Sequence, residues 1–267
     1  MMYHAKNAVL ELNGSKMDYI TFGCGRRNLL IIPGLGDGLK TVKGTAIPFS
    51  ILYRLFAKEF KIYVFSQKEP LEDSSITSSM AEDIFRAMEQ LGIMSASVLG
   101  VSMGGMIAQH LASAHPERVE KLVLAVTATR SNILMEESIR GWLEAAALRD
   151  IKQILRDTAE RSYSAEKLNT YRKLYPLFSL YPKPKSFRRF SIMANACLKH
   201  NASEQVSKIT APTLIIGAEN DRIVGVQASH ELNTLIPNSQ CYIYEKYGHC
   251  VYEEATDFQQ RVLNFLK

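Results

Sequence analysis

The sequence predicts an α/β protein with a mostly parallel, doubly wound sheet into which a helical segment is inserted. Short apolar runs typical of buried strands alternate with amphipathic helical stretches up to residue 129 and again from residue 208. Between these positions the strand-like runs vanish and helical periodicity dominates. The predicted organisation is therefore a core domain of residues 1–129 and 208–267 and a helical cap, or lid, of residues 130–207.

The elements of the core follow from periodicity in chain order. Residues 8–12 and 17–22 alternate apolar and polar side chains, which predicts an antiparallel hairpin at one sheet edge. Continuous apolar runs predict buried strands at residues 28–32, 61–65, 95–99, 121–125 and 213–217, followed by a last strand at 240–244. Helices are predicted at 48–60, 79–91, from 103 onward, at 226–235 and at 257–266. In the first helix, Leu52, Leu55 and Phe56 are expected to face the core.

A glycine-x-serine-x-glycine motif, Gly100-Val101-Ser102-Met103-Gly104, connects a predicted strand to a predicted helix. Glycine at the two outer positions lets the backbone turn sharply. Such a turn lifts the serine hydroxyl above the end of the sheet, at the positive end of the following helix. The amide of Met103 then points to where an oxyanion would form. A tight strand–helix turn without chemistry is the alternative interpretation.

Residues 100–119 resemble the nucleophile elbow of the α/β-hydrolase superfamily, in particular of small bacterial serine hydrolases such as esterases and enol-lactonases. The resemblance extends over nearly the whole chain except the predicted cap. It implies a catalytic triad in the chain order serine, acid, histidine, with each residue at the carboxyl end of a strand.

The resemblance implies that Asp221 is the acid, because the loop after residues 213–217 is similar to the family's strand-Gly-x-x-Asp-x-x-Val pattern. This chain departs from the pattern at Ala218, where glycine is usual, and at Gly225, where proline often follows. Glu219 is the competing acid. Asp221 could instead cap the helix predicted at 226–235.

The resemblance implies that His249 is the base, since Gly-His-x4-Glu follows the last predicted strand as in the family's histidine loop. A serine hydroxyl needs such a base within hydrogen-bond reach to act as a nucleophile. Surface or packing positions are expected for the other histidines: His4, His110, His115, His200 and His230.

The glycine-rich loop at residues 33–38 is expected to supply the second oxyanion donor. Pro33-Gly34 stands where the family has His-Gly, and the resemblance implies that the amide of Leu35 acts together with that of Met103. A phosphate-binding loop is the alternative interpretation. The sequence lacks the Lys-Ser/Thr of a P-loop and the Gly-x-Gly-x-x-Gly spacing, which disfavours phosphate.

Composition excludes several other classes of protein. The 267 residues carry a net charge of +5 without basic runs interleaved with aromatics, so no nucleic-acid partner is predicted. No apolar stretch reaches about 18 residues, so no membrane span is expected. The first residues lack the apolar core of a signal peptide, and the four cysteines lack metal-type spacing. These features predict a cytoplasmic protein with free thiols and no cofactor or metal.

The sequence thus predicts a serine hydrolase that cleaves carboxylic ester or lactone bonds of a small-molecule substrate through an acyl-enzyme. A carbon–carbon bond hydrolase of a diketone-type substrate and a slow-turnover ligand-sensing or signalling protein on the same fold remain open, as does a homodimer. Lysine and arginine outnumber acidic residues between positions 150 and 199. We interpret them as a solvated basic face, or alternatively as a field that steers an anionic substrate.

Overall fold

Eight strands form one sheet within residues 2–12, 14–181 and 183–267, which the computed structural model describes. The strands are β1 (Lys6–Leu12), β2 (Ser15–Phe22), β3 (Arg27–Ile32), β4 (Phe60–Phe65), β5 (Ala96–Val101), β6 (Val119–Ala125), β7 (Thr213–Ala218) and β8 (Ser239–Tyr244). Their spatial order is β1-β2-β4-β3-β5-β6-β7-β8. Strand β2 is antiparallel to both of its neighbours, and the other adjacent pairs are parallel. The predicted fold class and edge hairpin are confirmed.

The α-helices of the same described residues are α1 (Ala46–Leu52), α2 (Arg54–Ala57), α3 (Thr77–Gln90), α4 (Met103–Ala114), α5 (Ile133–Ala147), α6 (Ile151–Ser162), α7 (Ala165–Tyr171), α8 (Arg188–Leu198), α9 (Val226–Leu235), α10 (Val251–Glu254) and α11 (Phe258–Leu266). Short 3-10 helices lie at Met2–His4, Leu35–Gly38, Pro116–Arg118, Arg172–Leu180 and Val206–Lys208.

The sheet is buried on both faces, which explains why its central strands are continuous apolar runs. Along β3, Leu29 and Ile31 pack into the hydrophobic cluster on one face, while Leu30 and Ile32 pack into the cluster on the other. Helices α3, α4 and α9 contribute to the cluster of Leu30, and α2 and α11 contribute to that of Leu29. Helices on both faces are the normal cover of a parallel sheet.

The prediction of a single helix at residues 48–60 is wrong. The chain forms α1 and α2, separated at Tyr53, whose ψ of 29° interrupts the helix. Leu52, the last residue of α1, is 52% exposed rather than turned to the core. Phe56 lies in α2 and is fully buried, as expected. Periodicity alone did not reveal this break because the residues on both sides remain compatible with a helix.

Four α-helices, α5 to α8, lie between β6 and β7 in the described chain, so this stretch is helical as the sequence indicates. Helix α5 packs against both α6 and α8. The indole of Trp142 in α5 donates a 2.7 Å hydrogen bond to the Asp157 carboxylate in α6. The division into a core and a cap at residues 130–207 stays a prediction.

Among the described helices, none combines the length and apolar character needed to cross a bilayer. All four cysteines are free.

His200, just after α8, is 2% exposed and therefore occupies a packing position. Its Nε2 lies 3.2 Å from the carbonyl oxygen of Ala128, and its Nδ1 lies 2.9 Å from the hydroxyl of Thr77. A carbonyl only accepts, so we assign the proton to Nε2, with Nδ1 accepting from Thr77. Burial and the neighbouring His110 ring lower the pKa of His200 to about 3.

We expect His200 to make the fold sensitive to acid. The unfolded chain takes up this proton near pH 6.5, but the folded chain does so only near 3. Stability is therefore fully present above pH 6.5 and falls by up to about 1.4 kcal/mol per pH unit below it. His200→Gln should flatten the slope of the unfolding free energy against pH in denaturant titrations from pH 6.5 to 4. The exposed His230→Gln is the control, and equal slopes for both variants would contradict this expectation.

Candidate active site

Ser102 occupies the tip of the turn between β5 and α4. Its φ of 54° and ψ of −121° are unusual for a residue with a side chain, so the turn is strained. The Ser102 amide donates to the Ala125 carbonyl at 2.9 Å. Its carbonyl accepts from the amides of Gly105 and Met106 at 2.8 and 3.2 Å. These backbone bonds to β6 and α4 hold the strained conformation in place.

The glycines of the motif allow three backbone segments to approach closely. A Cβ on Gly104 would overlap the carbonyl oxygen of Ile32, at the end of β3. A Cβ on Gly100 would lie 2.6 Å from the Gly104 carbonyl oxygen and from the Gly105 Cα. The motif therefore requires glycine at both positions for steric reasons.

Gly104→Ala is expected to lower the free energy of unfolding by more than about 2 kcal/mol, because the new methyl group meets backbone that cannot rotate away. Gly141→Ala in α5 is the matched control, since among the described residues no atom beyond the neighbouring residues and backbone of the helix itself lies within 4 Å of the added Cβ. It should raise stability by about 0.5–1 kcal/mol through its better helix propensity. Denaturant titration measures both values, and similar stabilities of the two variants would disprove the steric argument.

The structure brings Ser102, Asp221 and His249 together at the carboxyl ends of β5, β7 and β8. The His249 Nε2 lies 2.9 Å from the Ser102 Oγ, and its Nδ1 lies 2.8 Å from the Asp221 Oδ2. His249 and Asp221 are buried, with 6% and 5% of their surface exposed. Because a carboxylate only accepts, Nδ1 carries the ring proton and Nε2 is free to accept from the serine hydroxyl.

Asp221 is held by its own loop as well as by the histidine. Its Oδ1 accepts from the amides of Ile223 and Val224 at 2.8 and 3.0 Å. Burial by itself raises the pKa of Asp221, but the His249 ring and these two amides outweigh it and lower the pKa below its ordinary value. The group is therefore a carboxylate at neutral pH.

The two alternatives for this loop do not match the structure. The competing acid, Glu219, is exposed, whereas the carboxylate that meets the imidazole belongs to Asp221. Asp221 does not cap α9 either, because the N-cap position is occupied by Gly225 with a φ of 75°. A positive φ favours glycine, which accounts for the departure from the usual proline at this position.

Leu35 and Met103 each begin a helix next to the serine. Leu35 is the first residue of the 3-10 helix Leu35–Gly38, and Met103 is the first residue of α4. The first amides of a helix have no carbonyl partner within that helix, so both are available to an external acceptor. Both residues line the same cavity as Ser102 and His249.

The cavity above Ser102 has a volume of about 660 Å³. Its wall includes residues 33–37, Ser102 and His249, together with residues of α5, α6, α8 and the 3-10 helix Arg172–Leu180. Apolar side chains dominate it, among them Met106, Ile139, Trp142, Ile154, Phe178 and Phe190. Among its described lining residues, the carboxylates and the lysine or arginine side chains are Asp37, Lys40 and Glu253.

Cys250, next to His249, is buried and also lines the cavity. Burial, together with the nearby Glu253 carboxylate, raises the pKa of its thiol to about 12. A neutral thiol is a poor nucleophile, so Cys250 does not compete with Ser102 for that role. In the described part of the chain, no group of three or more His, Cys, Asp or Glu side chains is arranged to hold a metal ion.

Arg189 in α8 was missed as a site residue by the sequence analysis, which interprets it as part of a solvated basic face. That interpretation is wrong for this residue, because Arg189 is buried against the loop that contains Leu35. Its partner is the buried Asp37. No sequence pattern distinguishes Arg189 from the exposed Arg188 beside it.

The fold and the strand–Ser102–helix turn define an α/β hydrolase. Comparison with known families agrees, since a family model described as alpha/beta hydrolase fold matches residues 27–256. The chain therefore belongs to the α/β-hydrolase fold family and is an enzyme of that class.

The individual proteins that the chain resembles are named for different reactions. The 2-hydroxymuconate semialdehyde hydrolase of Pseudomonas putida is 25% identical over 225 residues, covering 80% of this chain and 76% of that protein. The 2-hydroxy-6-oxononadienedioate/2-hydroxy-6-oxononatrienedioate hydrolase of Cupriavidus pinatubonensis is 25% identical over 260 residues, covering 91% and 88%. The crystal structure of an enol-lactonase from Burkholderia xenovorans matches with a TM-score of 0.79 at 18% identity, covering 97% of this chain and 99% of that chain.

Proposed function

We propose that the protein hydrolyses carboxylic ester or lactone bonds of a small apolar molecule, with Ser102 as the nucleophile. The observation that carries this proposal is the chain of two hydrogen bonds from Asp221 through His249 to the Ser102 hydroxyl, which ends at an apolar cavity. A hydroxyl bonded to a base that is itself oriented by a carboxylate is the arrangement needed for acyl transfer.

In the first half-reaction, the Ser102 Oγ attacks the substrate carbonyl carbon while its proton passes to His249 Nε2. The amides of Leu35 and Met103 donate to the developing oxyanion, each lowering the barrier by about 3 kcal/mol. The imidazolium returns its proton to the leaving alkoxide as the carbon–oxygen bond breaks. Asp221 stabilises the imidazolium and keeps the proton on Nδ1.

In the second half-reaction, water attacks the acyl-enzyme. His249 accepts one proton of this water, and the hydroxide adds to the acyl carbon. Collapse of the second tetrahedral intermediate releases the carboxylic acid and returns the proton to Ser102. No step of this sequence requires a metal or an organic cofactor.

The apolar wall supports a substrate whose acyl or alkyl part is apolar. A cavity of about 660 Å³ lies in the range of small-molecule sites, about 300–1,000 Å³. Residues 130–207 are part of this proposal, as a cap whose side chains select the substrate. Trp142 and Phe178 are two of the aromatic cap side chains that line the cavity and could contact an acyl chain.

Carbon–carbon bond hydrolysis is the second candidate, supported by the names of the two sequence relatives. One of those names specifies a dicarboxylate, which needs cationic partners in the site. Here Lys40 is the basic residue of the described wall, and the guanidinium of Arg189 is already paired with Asp37. This distribution of charge favours a neutral ester or lactone.

The test is a panel of substrates for the purified protein: neutral p-nitrophenyl esters of increasing acyl length, an ω-carboxylated ester of matched length, an enol-lactone and a 2-hydroxy-6-oxo-dienoate. We expect kcat/KM to rise with acyl length and to be at least tenfold higher for the neutral ester than for its carboxylated counterpart. Preferred cleavage of the dienoate would support the second candidate instead. A single product burst without steady-state turnover would support a ligand sensor.

The carboxylated ester also tests the steering hypothesis for the basic cap. If the basic side chains guide an anionic substrate, its kcat/KM falls with ionic strength while that of the neutral ester does not. A salt-independent ratio between the two esters would support the solvated-face interpretation.

A further inference from the structure

Arg189 joins the helix α8 to the loop that begins the candidate oxyanion hole. Its Nη2 lies 2.5 Å from the Asp37 Oδ2 and donates to the Gln67 carbonyl at 2.8 Å. Its Nη1 donates to the backbone carbonyl of Asp37. The guanidinium therefore donates to both the side chain and the main chain of Asp37, and both partners of the ion pair are buried.

Asp37 lies two residues after Leu35, inside the 3-10 helix Leu35–Gly38. Its Oδ2 also accepts from the Gln67 amide at 2.9 Å, and its own amide donates to the Gly34 carbonyl at 3.1 Å. Helix α8 packs directly against this turn, since a Cβ on Gly38 would lie 2.8 Å from the Phe190 Cα. The 3-10 helix Leu35–Gly38 is thus held between α8 and the loop after β4.

We propose that Arg189 is a positioning residue that holds the Leu35 amide in register with Ser102, so that helix α8 completes the oxyanion hole. The inference rests on the proposed function. An oxyanion donor loses its effect when it is misplaced by a fraction of an ångström. A buried guanidinium that donates to several acceptors restrains a turn more tightly than a neutral contact does. The helical insert then contributes to the chemical step as well as to substrate binding.

A direct role of Arg189 in substrate binding does not fit its surroundings. The residue is not among the described side chains that line the cavity. Its charge faces Asp37, and its Nε lies 3.1 Å from the Glu69 carboxylate. Removal of the guanidinium would leave the Asp37 carboxylate buried without its partner, which forces the turn to rearrange.

The test compares Arg189→Lys with Arg188→Lys, the neighbouring residue, which is exposed and bonds Leu71 and Asp73 instead. Lysine keeps the charge at position 189 but lacks the planar set of N–H donors of the guanidinium. For a p-nitrophenyl ester we expect kcat of Arg189→Lys to fall about 100-fold with KM changed less than threefold, because a donor used only in the transition state is displaced. A boronic acid that forms a tetrahedral serine adduct should bind more weakly by a similar factor. Arg188→Lys should match the parent within twofold.

Asp37→Asn provides a second variant that keeps the shape of the side chain and loses its charge. We expect a smaller fall in kcat, about tenfold, again without a matching change in KM. Circular dichroism establishes that each variant is folded at the assay temperature. An unchanged kcat, or a loss confined to KM, in folded Arg189→Lys would overturn the inference while leaving the proposed function intact.

Hydrogen exchange makes the inference testable even if no ester is turned over. Amides of residues 34–39 should exchange at least tenfold faster in Arg189→Lys than in the parent and in Arg188→Lys. Parent-like exchange in this segment would refute the positioning role. If the parent hydrolyses none of the substrates and Arg189→Lys still exchanges faster than the parent, the positioning role is supported and the proposed reaction is not.

Discussion

Ser102→Ala is expected to lower kcat for a p-nitrophenyl ester by about four to six orders of magnitude. In the proposed mechanism the Ser102 hydroxyl forms the covalent bond with the substrate, and alanine leaves no substitute nucleophile. The neutral thiol of Cys250 does not replace it, because burial and Glu253 keep its pKa at about 12. Fold stability should change little, because the bonds that hold the turn are made by the Ser102 backbone.

Steady-state kinetics and labelling with a fluorophosphonate measure this effect. The parent protein should gain one phosphonyl group on the peptide that contains Ser102, and Ser102→Ala should gain none. Ser113→Ala, in the same helix α4, is the control, since its hydroxyl donates to the His110 carbonyl within the helix. Turnover by Ser102→Ala at the parent rate would exclude the proposed mechanism.

Asp221→Asn should lower kcat by about three to four orders of magnitude near neutral pH. The asparagine carbonyl can still accept from the Ile223 and Val224 amides, so the loop is expected to keep its shape. The amide nitrogen, however, cannot accept from Nδ1 of His249. The ring proton then moves to Nε2, where the imidazole no longer accepts from Ser102.

The pH dependence of stability distinguishes this variant further. Because the folded pKa of Asp221 is lowered, its carboxylate stabilises the parent at pH values above the unfolded pKa of 3.8, and that contribution is lost as the pH falls through the folded value. The difference in unfolding free energy between parent and Asp221→Asn should therefore shrink below about pH 4. Glu219→Gln is the matched control with an exposed carboxylate. A large loss of kcat in Glu219→Gln and a small loss in Asp221→Asn would reverse the proposed assignment.

Most strands and helices could be predicted from the sequence because the patterns that specify them lie within a few neighbouring residues. The strand runs at residues 28–32 and 213–217 lie within β3 and β7, since a strand buried on both faces must be apolar throughout. Helix α9 spans the predicted residues 226–235. Boundaries elsewhere differ by one to three residues, as for α3, which begins at Thr77 rather than at 79. End residues are weakly specified because their hydrogen bonds are fewer.

Part of the candidate site could likewise be predicted from local sequence, and part could not. The turn at Ser102 is encoded locally, because glycine on each side is a steric requirement of the backbone itself. The meeting of Asp221 with His249 was inferred from chain order and a family resemblance, and the structure adds the distances. The choice between Asp221 and Glu219 depends on which carboxylate the loop turns inward. Two acidic residues separated by one position in a loop carry no periodic pattern that would indicate this direction.

By itself, the sequence determined the α/β class, the strand–serine–helix turn and the helical nature of the segment between β6 and β7. Each of these follows from short-range periodicity or from glycines within a few residues. Tertiary structure alone decided the break at Tyr53, the apolar cavity and the burial of Arg189 against Asp37. Those features depend on side chains up to 152 residues apart, whose contact is fixed by packing energy summed over the whole molecule rather than by any local pattern.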